Sequence, residues 1–178
     1  WGKYTDVLYS FVGIFALGVY VFNRESEKYS VGKDNVIRVS GTKQWIYSRK
    51  YLKEHLSEFE EIKNILQPFA EVYTSIGNIY PIWPGGNEFK GKSHCYDIPD
   101  IFFENKNFVQ LEKFYVEQIL NVDMGMVFIG DIVFSPYITN IHKIINEYSR
   151  KDYQNFIKYI VETINHRSEK IESRIIKN

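Results

Sequence analysis

The sequence predicts an α+β, mainly α fold, and three observations carry that prediction. Apolar residues recur every three or four positions in four separate stretches, while the runs with strand character are short. A long segment rich in proline, glycine and aromatic residues interrupts the helical pattern. With 178 residues and 21.1 kDa, the chain is expected to form one domain over 1–178. A hydrophobic share of 44% with 25% charged residues excludes a disordered or collagen-like chain.

The first element is the run Val7 to Asn23, 17 residues without a formal charge. It sits at the lower limit of a membrane span, which needs about 20 apolar residues. Its glycines, tyrosines and β-branched residues suit a buried helix followed by a strand, so a membrane segment is disfavoured. Val36 to Val39 reads as a short strand ended by Ser40-Gly41. From Ser48, a suitable N-cap, the period changes: Leu52, Leu56, Phe59, Ile62 and Leu66 mark one amphipathic helix. Pro68 either ends that helix or opens a further turn carrying Phe69, Val72 and Tyr73.

Beyond the irregular middle, Phe108, Leu111, Tyr115 and Ile119 predict a helix over roughly 106–121. Met126 to Phe134 is an apolar run compatible with a strand. Ile138, Ile141, Ile145 and Tyr148 predict a third helix, and Tyr153, Phe156, Ile160, Ile164 and Ile171 a fourth. Ser149 to Asp152 has the form of a capping box with Asp in place of Glu, and the short break points to a helical hairpin.

Charge and cysteine usage narrow the function classes. Lys plus Arg and Asp plus Glu are both 22, so the basic excess by which many proteins hold nucleic acid is missing. Cys95 is the only cysteine, which excludes an intramolecular disulfide and a four-cysteine zinc site and suggests a reducing, cytoplasmic setting. Trp1 is no initiator residue, so an initiator or leader is expected to precede it.

Chemistry concentrates in residues 74–104, which hold three of the five prolines and four glycines, so helix is expected to be broken throughout. Ile76, Ile79, Tyr80, Ile82, Trp83, Phe89, Ile98, Ile101 and Phe102 give it more apolar content than a solvated linker carries. A structured loop packed against the helices is therefore expected. Asn78, Asn87 and Lys90 offer polar groups, Tyr96 a hydroxyl and Trp83 a flat apolar wall, the mixture of a ligand pocket. The architectural reading stands beside it: asparagines serve turns, Asp97 and Asp100 serve caps, and Lys90 pairs one of them.

Ile76-Gly77-Asn78, Pro81, Trp83-Pro84, Asn87, Lys90-Gly91, Asp97 and Asp100-Ile101 together resemble an uncharacterised family of bacterial proteins. That family carries a Thr-Ile-Gly-Asn tetrapeptide, a Pro/Trp stretch, an Asn, an Arg-Gly pair and an Asp-x-x-Asp-Leu ending. Ser75 and Lys90 depart from its usual Thr and Arg, and Lys cannot make Arg's planar two-pronged contact. The resemblance extends through Met126–Phe134 and Ile164, Arg167 and Ile171, and implies a shared feature without an assigned activity.

Two function classes follow, with a third beside them. In the first, the protein binds a small polar or anionic ligand, or a protein partner, through Asn78, Trp83, Asn87, Lys90 and Tyr96, with no cofactor. In the second, a metal-dependent hydrolase or nuclease uses His94, Asp97 and Asp100 as catalytic or metal-ligating residues with Mg²⁺ or Mn²⁺; Pro99 inside that set disfavours a regular helix to align them. The third is a structural or homo-oligomerising module. Cys95 beside His94 is a poor nucleophile pair, because adjacent residues on an extended chain face opposite ways. Pro84-Gly85-Gly86-Asn87 lacks the nucleotide P-loop pattern and any following helix signal. Arg167 either reaches an acidic loop residue or is a solvated helix charge.

Overall fold

The computed structural model describes residues 5–92, 96–121 and 141–176, apart from the side chains of Lys92 and Asp100. It is mainly helical with two small antiparallel strand pairs. Strand β1 (Thr5–Val7) leads into helix α1 (Phe11–Phe22), whose N-cap Ser10 accepts from the Gly13 amide. Helix α1 is buried on nearly all sides, which its unbroken apolar composition permits and an amphipathic helix would not. At 12 residues it is about 18 Å long, far short of a bilayer. No helix among the described residues is long and apolar enough to cross a membrane.

Strands β2 (Tyr29–Val31) and β3 (Ile37–Val39) form a hairpin with Ser30 opposite Arg38. The single helix expected from Ser48 is instead two, α2 (Arg49–His55) and α3 (Glu60–Val72), separated by a 3₁₀ turn at Leu56–Glu58. Phe59 leaves the helical region at φ −121°, ψ 50°, and its ring meets the edge of Phe15 on α1. Core packing thus overrides the local period. Ser48 does cap α2, accepting from the Tyr51 amide at 3.0 Å, and α3 continues through Pro68 to Val72.

Residues 74–104 are more regular than their prolines suggest. A 3₁₀ turn (Ile76–Asn78) runs into β4 (Ile79–Pro81), which pairs antiparallel with β1, Asp6 opposite Tyr80. Helix α4 (Gly86–Lys92) and helix α5 (Pro99–Phe102) follow. The expectation that no helix follows Pro84-Gly85 is corrected: Gly85 takes φ +100°, a turn available to glycine, and α4 begins at the next residue. Pro99 opens α5 in its first turn, where a proline costs no hydrogen bond.

Helix α6 (Lys106–Phe114) is capped by Asn105 and ends in a π-helical turn, Tyr115–Ile119. Helices α7 (Ile141–Glu147) and α8 (Arg150–Ile175) are joined by the expected capping box, in which Ser149 and Asp152 satisfy each other's backbone amides. The strand expected over Met126–Phe134 lies outside the described residues, as do His94 and Cys95.

The 76–78 turn lies on α8. A Cβ on Gly77 would stand 1.9 Å from the Ile164 carbonyl oxygen, so only glycine admits this approach. Arg167, 3% exposed, is not a solvated helix charge. Its guanidinium donates to the carbonyls of Ile76, Gly77 and Ile79 at 3.1, 2.7 and 2.6 Å, and burial pulls its pKa down to about 10.

Candidate functional site

The β1–β4 pairing carries Asp6 across to the middle segment, where it meets Lys90 from α4. The Lys90 ammonium is buried and donates to Asp6 Oδ2 at 2.6 Å, Asp97 Oδ1 at 3.0 Å and the Val7 carbonyl at 3.3 Å. It also stands 4.7 Å from the ring centre of Phe102 and 5.5 Å from that of Tyr80. An ammonium removed from water is stabilised here by two carboxylates and two ring faces.

Asp97 uses its second oxygen to accept from the Tyr47 hydroxyl at 2.9 Å. Tyr47 meets Tyr96 edge to face, ring centres 5.1 Å apart at 76°. Trp45, Tyr47, Tyr96, Val36, Gly91, Lys90 and Asp97 enclose a cavity of about 150 Å³. The Tyr96 hydroxyl accepts from the Ile37 amide at 3.1 Å and donates to the Asn35 carbonyl at 2.7 Å. Burial pushes that phenol up to about 12, against the pull of the Ile37 amide.

The backbone around this cavity is unusual. Asn35, Tyr96 and Asp97 have φ of 61°, 53° and 51°, the left-handed region that side chains with a Cβ seldom occupy. Asn in a hairpin turn is an ordinary case, but two consecutive residues, one of them Tyr, are not. Such backbone persists only where its surroundings fix it. Tyr96 is clamped at its hydroxyl by the β2–β3 hairpin and at its carbonyl by α1. A Cβ on Gly13 would lie 2.2 Å from the Tyr96 oxygen.

The structure disperses the residues singled out from the sequence. Lys90 and Tyr96 line the cavity, and Asp97 joins them. Asn78 does not: its amide is fully engaged by backbone, accepting from the Tyr9 amide at 3.0 Å and donating to the carbonyls of Tyr9 and Tyr73 at 3.2 and 2.8 Å. Asn87 is exposed on α4. Trp83 packs 4.6 Å from Phe108 and lines a separate apolar groove with Pro84, Leu111, Phe114, Tyr115, Ile119 and Leu120.

Of the metal-binding trio, His94 lies outside the described residues and the Asp100 side chain is not described. Asp97 already binds Lys90 and Tyr47 through both carboxylate oxygens. Among the described residues no group of three or more His, Cys, Asp or Glu side chains is arranged to hold a metal ion.

Sequence reasoning missed Asp6, Trp45, Tyr47 and Glu112. Trp45 and Tyr47 leave a faint signal, two aromatic residues at alternate positions of a non-helical stretch, which places them on one side of an extended chain. Glu112 leaves none. It sits on α6 with no solvent exposure, and neither carboxyl oxygen has a hydrogen-bond partner among the described residues. Burial pushes its pKa up to about 8, against the smaller opposing pull of the Lys90 charge and of the Trp83 backbone amide, which lies near the carboxyl but outside hydrogen-bonding geometry. Burial thus favours the neutral form of Glu112, and the residue lies outside the cavity wall.

Comparison with protein-family models, with curated proteins and with solved structures finds no match to this chain.

Proposed function

We propose that the protein binds a small molecule in the cavity between the β2–β3 hairpin, the Trp45–Tyr47 segment and the end of α4. One observation carries this reading: the consecutive left-handed residues Tyr96 and Asp97 both face that hollow. Each such residue costs about 1–3 kcal/mol, and strain of this kind is characteristic of ligand clamps. A chain that needed only to close its core would meet the same turn with glycine or asparagine at no such cost.

The lining supports the same reading. Three aromatic side chains supply apolar surface, and one carboxylate, its two oxygens oriented by Tyr47 and Lys90, supplies direction. The volume, about 150 Å³, suits a body of about six heavy atoms. Of the site expected from the sequence, this keeps Lys90 and Tyr96, adds Trp45, Tyr47 and Asp97, and assigns Asn78 to architecture. A cytoplasmic setting belongs with this reading.

A panel of water-soluble fragments of five to eight heavy atoms, screened by saturation-transfer NMR against the wild type and Tyr96→Ala, tests it. Binding by the wild type that Tyr96→Ala loses, with Asn87→Ala behaving as wild type, is the expected result. A panel in which no fragment binds, or in which every binder is indifferent to Tyr96, overturns the proposal.

A further inference from the structure

We infer that the ligand of this cavity is a small organic cation, an ammonium or quaternary ammonium group; the inference rests on the binding reading above and names its ligand class. Lys90 is the cation that sequence reasoning offered to an anionic ligand, and its geometry argues the opposite. An ammonium has three N–H donors. Those of Lys90 go to Asp6, Asp97 and the Val7 carbonyl at 2.6, 3.0 and 3.3 Å. An incoming anion would have to displace one of them.

The carboxylate side of the cluster has capacity to spare. Asp6 and Asp97 bring two negative charges to one ammonium, so the group carries a net charge of −1. A carboxylate offers about four lone-pair positions, of which Asp97 commits two, to Lys90 and Tyr47. Arg38, a second cation near the cavity among the described residues, stands 5.6 Å from the ring centre of Trp45 and is paired with Asp34 through two contacts of 3.0 and 2.7 Å. Of the two carboxylates Asp97 lines the cavity, and it brings the ligand the two lone-pair positions left uncommitted.

Its walls suit the same ligand. A cation is drawn to the faces of aromatic rings, more strongly where water is excluded. Tyr47 and Tyr96, packed edge to face at 76°, and Trp45 give the cavity three aromatic lining residues. Tetramethylammonium, with five heavy atoms, and choline, with seven, bracket the size the volume allows.

The test is a titration of the wild-type chain, followed through the aromatic resonances of Trp45, Tyr47 and Tyr96. The probes are tetramethylammonium, choline, the uncharged choline isostere 3,3-dimethylbutan-1-ol, and acetate. Choline is expected to bind about tenfold more tightly than its isostere. Rising salt should weaken choline and leave the isostere unchanged. In Asp97→Asn the tenfold preference should shrink while the isostere still binds; should that variant fail to fold, the wild-type comparison of choline with its isostere stands alone. Equal binding of the two, or tighter binding of acetate, overturns the cation assignment and leaves the binding reading intact. Silence of all three aromatic residues toward every probe overturns the assignment together with the reading it rests on.

Discussion

Replacing Glu112 by glutamine isolates the energetic consequence of a carboxyl buried without a hydrogen-bond partner among the described residues. In the unfolded chain that carboxyl releases its proton near pH 4.5, and in the fold burial holds the proton to about pH 8. Below the first value both states are protonated and ionisation contributes nothing. Between the two the native state keeps a proton that the unfolded chain has lost, so stability falls as pH rises, by about 1.4 kcal/mol per unit. The loss amounts to about 3 kcal/mol at pH 7 and about 4 kcal/mol at pH 8, and levels off at about 5 kcal/mol above that. Glutamine has nearly the same shape and no such titration. Urea unfolding of wild type and Glu112→Gln across pH 5–8 reads the difference directly, because the contributions of the other titrating groups cancel between the two chains. The variant's advantage should be less than about 1 kcal/mol at pH 5 and grow to about 3 kcal/mol at pH 7. An advantage that stays flat over that range would show that water or a partner reaches Glu112, and the reasoning would fail.

Three further substitutions probe the frame that holds the cavity. Asn78→Ala removes a partner from the Tyr9 amide and from the carbonyls of Tyr9 and Tyr73, and should lower unfolding free energy by about 3 kcal/mol. Asn78→Asp, which keeps the acceptor but turns a carboxylate toward two carbonyls, should cost at least as much at pH 7. Arg167→Leu removes the donor to three carbonyls at the α8 contact and should cost about 3 kcal/mol in urea unfolding, with partial recovery in Arg167→Lys. Lys90→Met leaves Asp6 and Asp97 facing each other without their cation and should cost about 3–5 kcal/mol at pH 7. Calorimetric melting of the two chains at pH 7 reads that last deficit.

Much of the helical frame could be read from the sequence because its signals are local. Ser48, Ser149 and Asp152 announced their caps, and the apolar period announced the helices that follow them. Phe59 shows where local reading stops: its helical period is real, yet contact with Phe15, 44 positions earlier, breaks the helix there. The Ile76-Gly77-Asn78 stretch drew attention as a motif, and its residues prove architectural, seating a turn on α8 and tying Tyr9 to Tyr73. The cavity was half visible. Lys90, Tyr96 and Asp97 lie close together in the chain, whereas Asp6 and Tyr47 reach them over separations of 84 and 50 residues. Nothing in one sequence encodes those partners, because β1–β4 pairing and the backbone of Tyr96 and Asp97 arise only in the fold.

A crystal of the wild-type chain soaked in choline examines the central claim at atomic scale. Density for the quaternary group among the rings of Trp45, Tyr47 and Tyr96, on the Asp97 side and with Lys90 still bound to both aspartates, is the result expected. Rings collapsed onto one another with no room between them, or choline seated elsewhere on the surface while this hollow stays closed, would contradict it.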